Sequence, residues 1–65
     1  MNKYYRLLME FTNGSTPYIE LLYRRHTEEL VDEAIKLNYI TEYGKNSYGE
    51  TLYTITPLGK SVRDS

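Results

Sequence analysis

Apolar residues recur at helical spacing as far as Leu37, and beyond Asn38 they give way to short threonine- and tyrosine-rich runs typical of β-strands. This change of period confines the chain to helices first and sheet second. With 65 residues and no cysteine, it reads as one domain, residues 1–65, and neither a disulfide nor Cys-ligated zinc can supplement its core. A domain of this size buries only about 60% of its unfolded surface. Packing, or packing with self-association, therefore has to supply its stability. Eight tyrosines stand against one phenylalanine. A tyrosine has a large apolar body and a polar tip, which suits both the thin shell of a small core and an interface.

Residues 3–12 read as a first helix. Tyr4, Leu7, Leu8 and Phe11 fall at i, i+3, i+4 and i+7, Tyr5 and Met9 widen the stripe, and Asn13-Gly14 ends it. Thr16 is expected to cap a second helix with Pro17 in its first position. That helix runs to Arg25 and turns Ile19, Leu22 and Tyr23 inward, with Leu21 beside them. Thr27 is the expected N-cap of a third helix reaching about Leu37, with Glu28 and Glu29 in the first turn, where acids suit the helix dipole. Leu30, Val31, Ala34 and Leu37 form its inner face, with Ile35 at the margin; Glu29, Asp32, Glu33 and Lys36 face out. Strands are expected over 39–43 and 50–55, around a Gly44–Gly49 turn. Thr56 to Lys60 begins a final short turn or helix, and 61–65 should fray. Tyr4, Tyr23, Tyr39 and Tyr53 are assigned to the core or its margin. Tyr5, Tyr18, Tyr43 and Tyr48 should be more exposed, with Tyr43 and Tyr48 able to pair across the hairpin.

Three helices of this length cannot close a core unless something covers the open side, and a two-stranded hairpin is not stable alone. The expected architecture is therefore α+β: a winged helix-turn-helix of three helices, a two-stranded β-hairpin wing and a short C-terminal turn. Leu37-Asn38-Tyr39-Ile40 resembles the leucine-x-glycine-tyrosine-isoleucine step from recognition helix to wing in winged helices. Asn38, the next-best left-handed residue, stands where glycine is usual. The run from Tyr53 to Lys60 resembles the strand exit of MarR- and PadR-like regulators. Gly14-Ser15-Thr16-Pro17, and Thr27-Glu28 followed by Asp32 and Ala34, are similar to segments of the YjcQ-like winged-helix proteins of bacteria and their prophages. The resemblance spans nearly the whole chain, and what it implies is the fold.

The net charge is −1, so the overall basic balance of a typical nucleic-acid binder is missing. No apolar run approaches the roughly 18 residues of a membrane span. Met1 to Phe11 has no signal-type apolar stretch, so a cytoplasmic, membrane-free protein is expected. The default task of the fold is binding double-stranded DNA, with the third helix in the major groove and the wing alongside. Arg24, Arg25 and His26 place cationic and donor groups before that helix, and Thr27 can donate to a phosphate. Lys36 lies on the helix. Lys45, Asn46 and Ser47 sit at the wing tip, Lys45 for the backbone and Asn46 for a base edge. Lys3, Arg6, Lys60 and Arg63 can flank these contacts.

Against this, the third helix carries Glu28, Glu29, Asp32 and Glu33 with Lys36 alone, a net −3, while the rest of the chain is +2. Clustered acids oppose insertion between phosphates. Two functions follow, a DNA-binding regulator of bacterial or phage type and a protein-interaction winged helix. In the second, the acidic helix meets a basic partner, as a phage-type inhibitor or modulator of a host protein would. The acids also read simply as a solvated face. A homodimer, if formed, would use the first helix or the tail. Neither a cofactor nor an enzymatic activity is expected. His26 is the only histidine, and Glu29 or Glu33 nearby would give it at most a weak, exposed metal site. Glu28 with Asp32, and Glu29 with Glu33, lie four apart without a nucleophile or cleft. The Gly44–Gly49 loop lacks the spacing of a phosphate-binding loop.

Overall fold

The computed structural model describes residues 2–65. The chain forms α1 (Tyr5–Leu8), a 3-10 stretch (Met9–Gly14), α2 (Ile19–Arg25), α3 (Glu28–Lys36), β1 (Ile40–Lys45), β2 (Thr51–Ile55) and α4 (Pro57–Asp64). It is an α+β winged helix-turn-helix with a fourth helix in place of the expected terminal turn.

The first helical segment is less regular than its periodicity suggests. One α-turn is followed by 3-10 geometry, and Thr12 is already extended, with its hydroxyl donating to the Met9 carbonyl at 2.8 Å. Asn13 and Gly14 then take left-handed conformations, φ 60° and 76°, and turn the chain. The apolar stripe still reaches its target, because Leu7, Leu8 and Phe11 are all fully buried. Tyr5 is half-buried and Met9 is exposed.

Thr16 and Pro17 do not start α2. Both stay outside the helix, Tyr18 is the N-cap residue, and no side chain caps it. The backbone is engaged elsewhere: the Pro17 carbonyl accepts from the Tyr53 amide at 3.0 Å, and Tyr18 bridges Leu52 in antiparallel sense. A proline has no amide to offer but keeps its carbonyl, so this segment behaves as a minimal third strand along β2.

α3 follows the sequence closely. The Leu30 amide donates to the Thr27 hydroxyl at 3.1 Å, which is the cap. The helix closes with a Schellman motif: Tyr39 N–H donates to Ala34 O at 2.9 Å and Asn38 N–H to Ile35 O at 3.0 Å. Asn38 takes φ 63° for this purpose. Leu37 is 43% exposed rather than buried, because it lies beyond the last helical residue at the C-cap. The inner face is thus Val31 and Ala34, with Leu30 and Ile35 half-buried.

The hairpin pairs Ile40 with Ile55, Thr41 with Thr54, Glu42 with Tyr53, Gly44 with Leu52 and Lys45 with Thr51. The register slips between Glu42 and Gly44, so Tyr43 falls in a bulge and Tyr48 lies in the turn. The expected pairing of these two tyrosines is not made. At the other end, Thr56 caps α4 by accepting from the Gly59 amide at 2.9 Å, with Pro57 in the first turn. Residues 61–64 are helical rather than frayed, because Val62 packs on the core and its carbonyl accepts from the Asn2 side chain at 2.8 Å.

The core consists of Leu7, Leu8, Phe11, Leu22, Val31, Ala34 and Ile40. Tyr4, Tyr23, Tyr39 and Tyr53 pack around it as expected, and Tyr4 meets Tyr39 edge to face at 5.0 Å. Gly59 sits where α4 crosses the end of β2. A Cβ built there would collide with the Tyr39 carbonyl oxygen and lie 2.8 Å from Ile55 Cγ1. Glycine to alanine within a helix normally gains about 1 kcal/mol. Here Gly59→Ala should instead lose about 1–3 kcal/mol through overpacking. The expected fall in Tm is about 4–8 °C per kcal/mol, measurable by thermal unfolding; an unchanged or raised Tm would contradict this packing.

Candidate nucleic-acid interface

The surface on which this fold would engage DNA consists of the α2–α3 corner, the outer face of α3 and the wing. Arg24, Arg25 and His26 are consecutive at the end of α2, so they necessarily diverge around the helix. Arg24 turns back to Tyr18, donating to its hydroxyl at 2.7 Å with the guanidinium carbon 5.9 Å from the ring centre. It makes no ion pair among the described residues. Arg25 and His26 turn to one carboxylate on the first helical segment, that of Glu10. Arg25 donates to Oε1 at 3.0 Å and the His26 ring contacts Oε2 at 2.9 Å. Glu10 and His26 are largely buried there, with side chains 18% and 11% exposed. Two of the three groups expected to face a phosphate are therefore held by an internal acid. Nothing in the local spacing of residue 10 signals this, since it lies 15 and 16 positions away.

Thr27 spends its lone pair on the cap, leaving its hydroxyl hydrogen for an external acceptor. Lys36 lies at the far end of α3, about 13 Å along a nine-residue helix. Lys45 and Ser47 are exposed on the wing. Asn46 is not free to read a base edge. Its Oδ1 accepts from the Tyr48 amide at 2.9 Å and the Glu50 amide at 3.0 Å, and its Nδ2 donates to Glu50 Oε1 at 2.8 Å. It is the residue that builds the turn.

The acids of α3 divide between its two sides. Glu33 accepts from Lys3 at 2.8 Å and from the Tyr4 hydroxyl. These contacts hold its carboxyl below the usual range; the Lys3 ammonium and the Tyr4 phenol are raised in turn by the hydrogen bond to Glu33. On the other side Asp32 accepts from Tyr23 Oη at 2.7 Å. Glu28 adds to the field at Tyr23, while burial chiefly raises Tyr53, with Glu42 of β1 and Asp32 adding to it. Asp32 bonds Tyr23 and Glu42 stands opposite Tyr53 in the hairpin, so with Glu28 they make a negative zone beside these two tyrosines. Glu28 and Glu29 make no ion pair among the described residues.

No protein-family model matches the chain, and no match is found among curated proteins or solved structures. Among the described residues, no helix is long and apolar enough to cross a membrane, and no group of three potential ligands could hold a metal ion.

The Tyr23–Asp32 contact has a measurable pH signature. Donation to Asp32, reinforced by burial, pushes the Tyr23 phenol up to about 12 from the ordinary value of about 10. The folded chain keeps a proton that the unfolded chain releases first. The stability tied to this bond is thus complete below about pH 10 and is lost on rising toward about pH 12. Carbon NMR of labelled tyrosine should show Tyr23 ionising late in the wild type, and earlier in Asp32→Asn. Identical midpoints would refute the contact.

Proposed function

We propose that the chain is a small DNA-binding winged helix of bacterial or prophage transcription-regulator type, acting in the cytoplasm on double-stranded DNA. The observation that carries this reading is Arg24. It is positioned by Tyr18 next to the start of α3, and it makes no ion pair among the described residues. Lys36 and Lys45 are likewise exposed and outside every ion pair among the described residues. These groups, with the Thr27 hydroxyl and Ser47, supply phosphate contacts. Arg25 contributes only what its bond to Glu10 leaves over. Such contacts orient a protein on the duplex without reading sequence. The negative zone at Glu28, Asp32 and Glu42 keeps that side of α3 away from the backbone, so α3 meets the groove at an angle. A symmetric site calls for two copies, and exposed Met9 and Leu58 mark the first segment and α4 as the surfaces available for pairing.

A second reading has its own support. Glu28 and Glu29 make no ion pair among the described residues, and Asp32 bonds Tyr23 while Glu42 stands opposite Tyr53. That combination suits a basic protein surface, as for a phage-type modulator of a host protein.

Duplex binding across a salt series separates the two. Under the DNA reading the wild type binds at low salt, and log K falls with log salt by about 0.9 per phosphate contacted. Arg24→Ala/Lys45→Ala should flatten that slope by about 2 units. Absence of binding at low salt would reject the DNA reading in favour of the protein partner.

A further inference from the structure

A cleft of about 330 Å³ lies between the end of the first helical segment, β2 and α4. Half-buried Ile55 is the apolar side chain open to it, Phe11 lines it from within the core, and the Asn13-Gly14 turn forms one rim. Lys60 and Arg63 form the other, and their i, i+3 spacing puts both on one face of α4. Among the described residues no carboxylate lines the cleft, and no residue of α2 or α3 does. Lys60 belongs to no ion pair among the described residues. Arg63 donates through Nε and one Nη to Asp64 beside it, which leaves further N–H groups free.

We propose that this cleft binds a small amphipathic monoanion, a single ring or short branched chain bearing one carboxylate. Size sets the upper limit. Ligand sites run from about 300 to 1,000 Å³, so this cleft takes a ligand of one ring and not a nucleotide. Charge sets the sign, because two cations face a space lined by no acid in a protein whose net charge is −1. The apolar surface sets the body: a bare inorganic anion would engage Lys60 and Arg63 and leave the open side of Ile55 against water. A carboxylate on the rim with its apolar body against Ile55 satisfies both halves. The site uses none of Arg24, Thr27, Lys36, Lys45 and Ser47, and only the flanking cations Lys60 and Arg63 are common to it and the expected DNA contacts.

The test is an NMR titration of amide-labelled protein with benzoate, its uncharged analogue benzamide and inorganic phosphate, at constant ionic strength. Benzoate is expected to move the Gly14, Ile55 and Lys60 signals saturably. Benzamide should bind about tenfold more weakly, since a charge-assisted hydrogen bond is lost. Lys60→Met, an exposed position, should weaken benzoate by a similar factor, with Arg63→Gln as the second variant and Lys36→Met unchanged as the control. Equal binding of benzamide would overturn the charge assignment. Phosphate matching benzoate would overturn the apolar half. No movement of the cleft signals at saturating benzoate would overturn the site.

Discussion

The arrangement of helices and hairpin depends on one buried polar residue, Thr56. It is 7% exposed and joins three elements. Its amide donates to the Tyr39 carbonyl at 3.0 Å, its hydroxyl donates to Asn38 O at 2.7 Å, and the same oxygen accepts from the Gly59 amide at 2.9 Å. The end of α3, the end of β2 and the start of α4 thus meet at one side chain. A hydroxyl has one hydrogen, so the longer 3.1 Å approach to Tyr39 O is secondary to the bond to Asn38. An unpaired buried group costs about 1–3 kcal/mol, and every partner at this joint is paired. The left-handed Asn38 and the side-chain-free Gly59 are both needed for the approach. The three residues form one constraint rather than three separate preferences.

Around that joint the chain compensates for a short supply of large aliphatics. Among the described residues seven hydrophobics are fully buried, and four tyrosines help complete the shell. Two of these reach the surface of α3 with their hydroxyls, Tyr4 at Glu33 and Tyr23 at Asp32. Part of the acidity of α3 therefore serves as anchorage for tyrosine tips. Glu28 and Glu29 have no such role, and they form the part of the acidic face left for solvent or a partner.

How legible each feature is in the sequence depends on whether its cause is local. The cap at Thr27, the left-handed stop at Asn38 and the Thr56-Pro57 start of α4 are all local, since the partners lie within a few residues. The four core tyrosines follow from periodicity in the same way. The features that escape are tertiary. Thr16-Pro17 has the composition of a helix start, yet the Pro17 carbonyl is taken by Tyr53. Asn46 has the chemistry of a base reader, yet the wing turn consumes its side chain. Arg25 and His26 look free until Glu10 is placed beside them. The fraying expected after Lys60 is prevented by Val62, whose docking depends on where α4 crosses the first segment. A periodic stripe also survives departures in helix geometry: Leu7, Leu8 and Phe11 are buried although the helix carrying them is half 3-10.

The bridge between Tyr18 and Leu52 has a consequence for association. A two-stranded ribbon of threonine and tyrosine would ordinarily expose two unpaired edges, each a template for another chain. The Pro17–Tyr53 bond and the Tyr18 bridge occupy part of the β2 edge. The β1 edge is interrupted by the bulge at Tyr43 and carries Glu42 and Lys45. Neither edge offers a long, flat, uncharged run on which fibrillar stacking could begin. The strand-forming tyrosines and threonines are thus held in a ribbon whose edges are poor templates for a further strand.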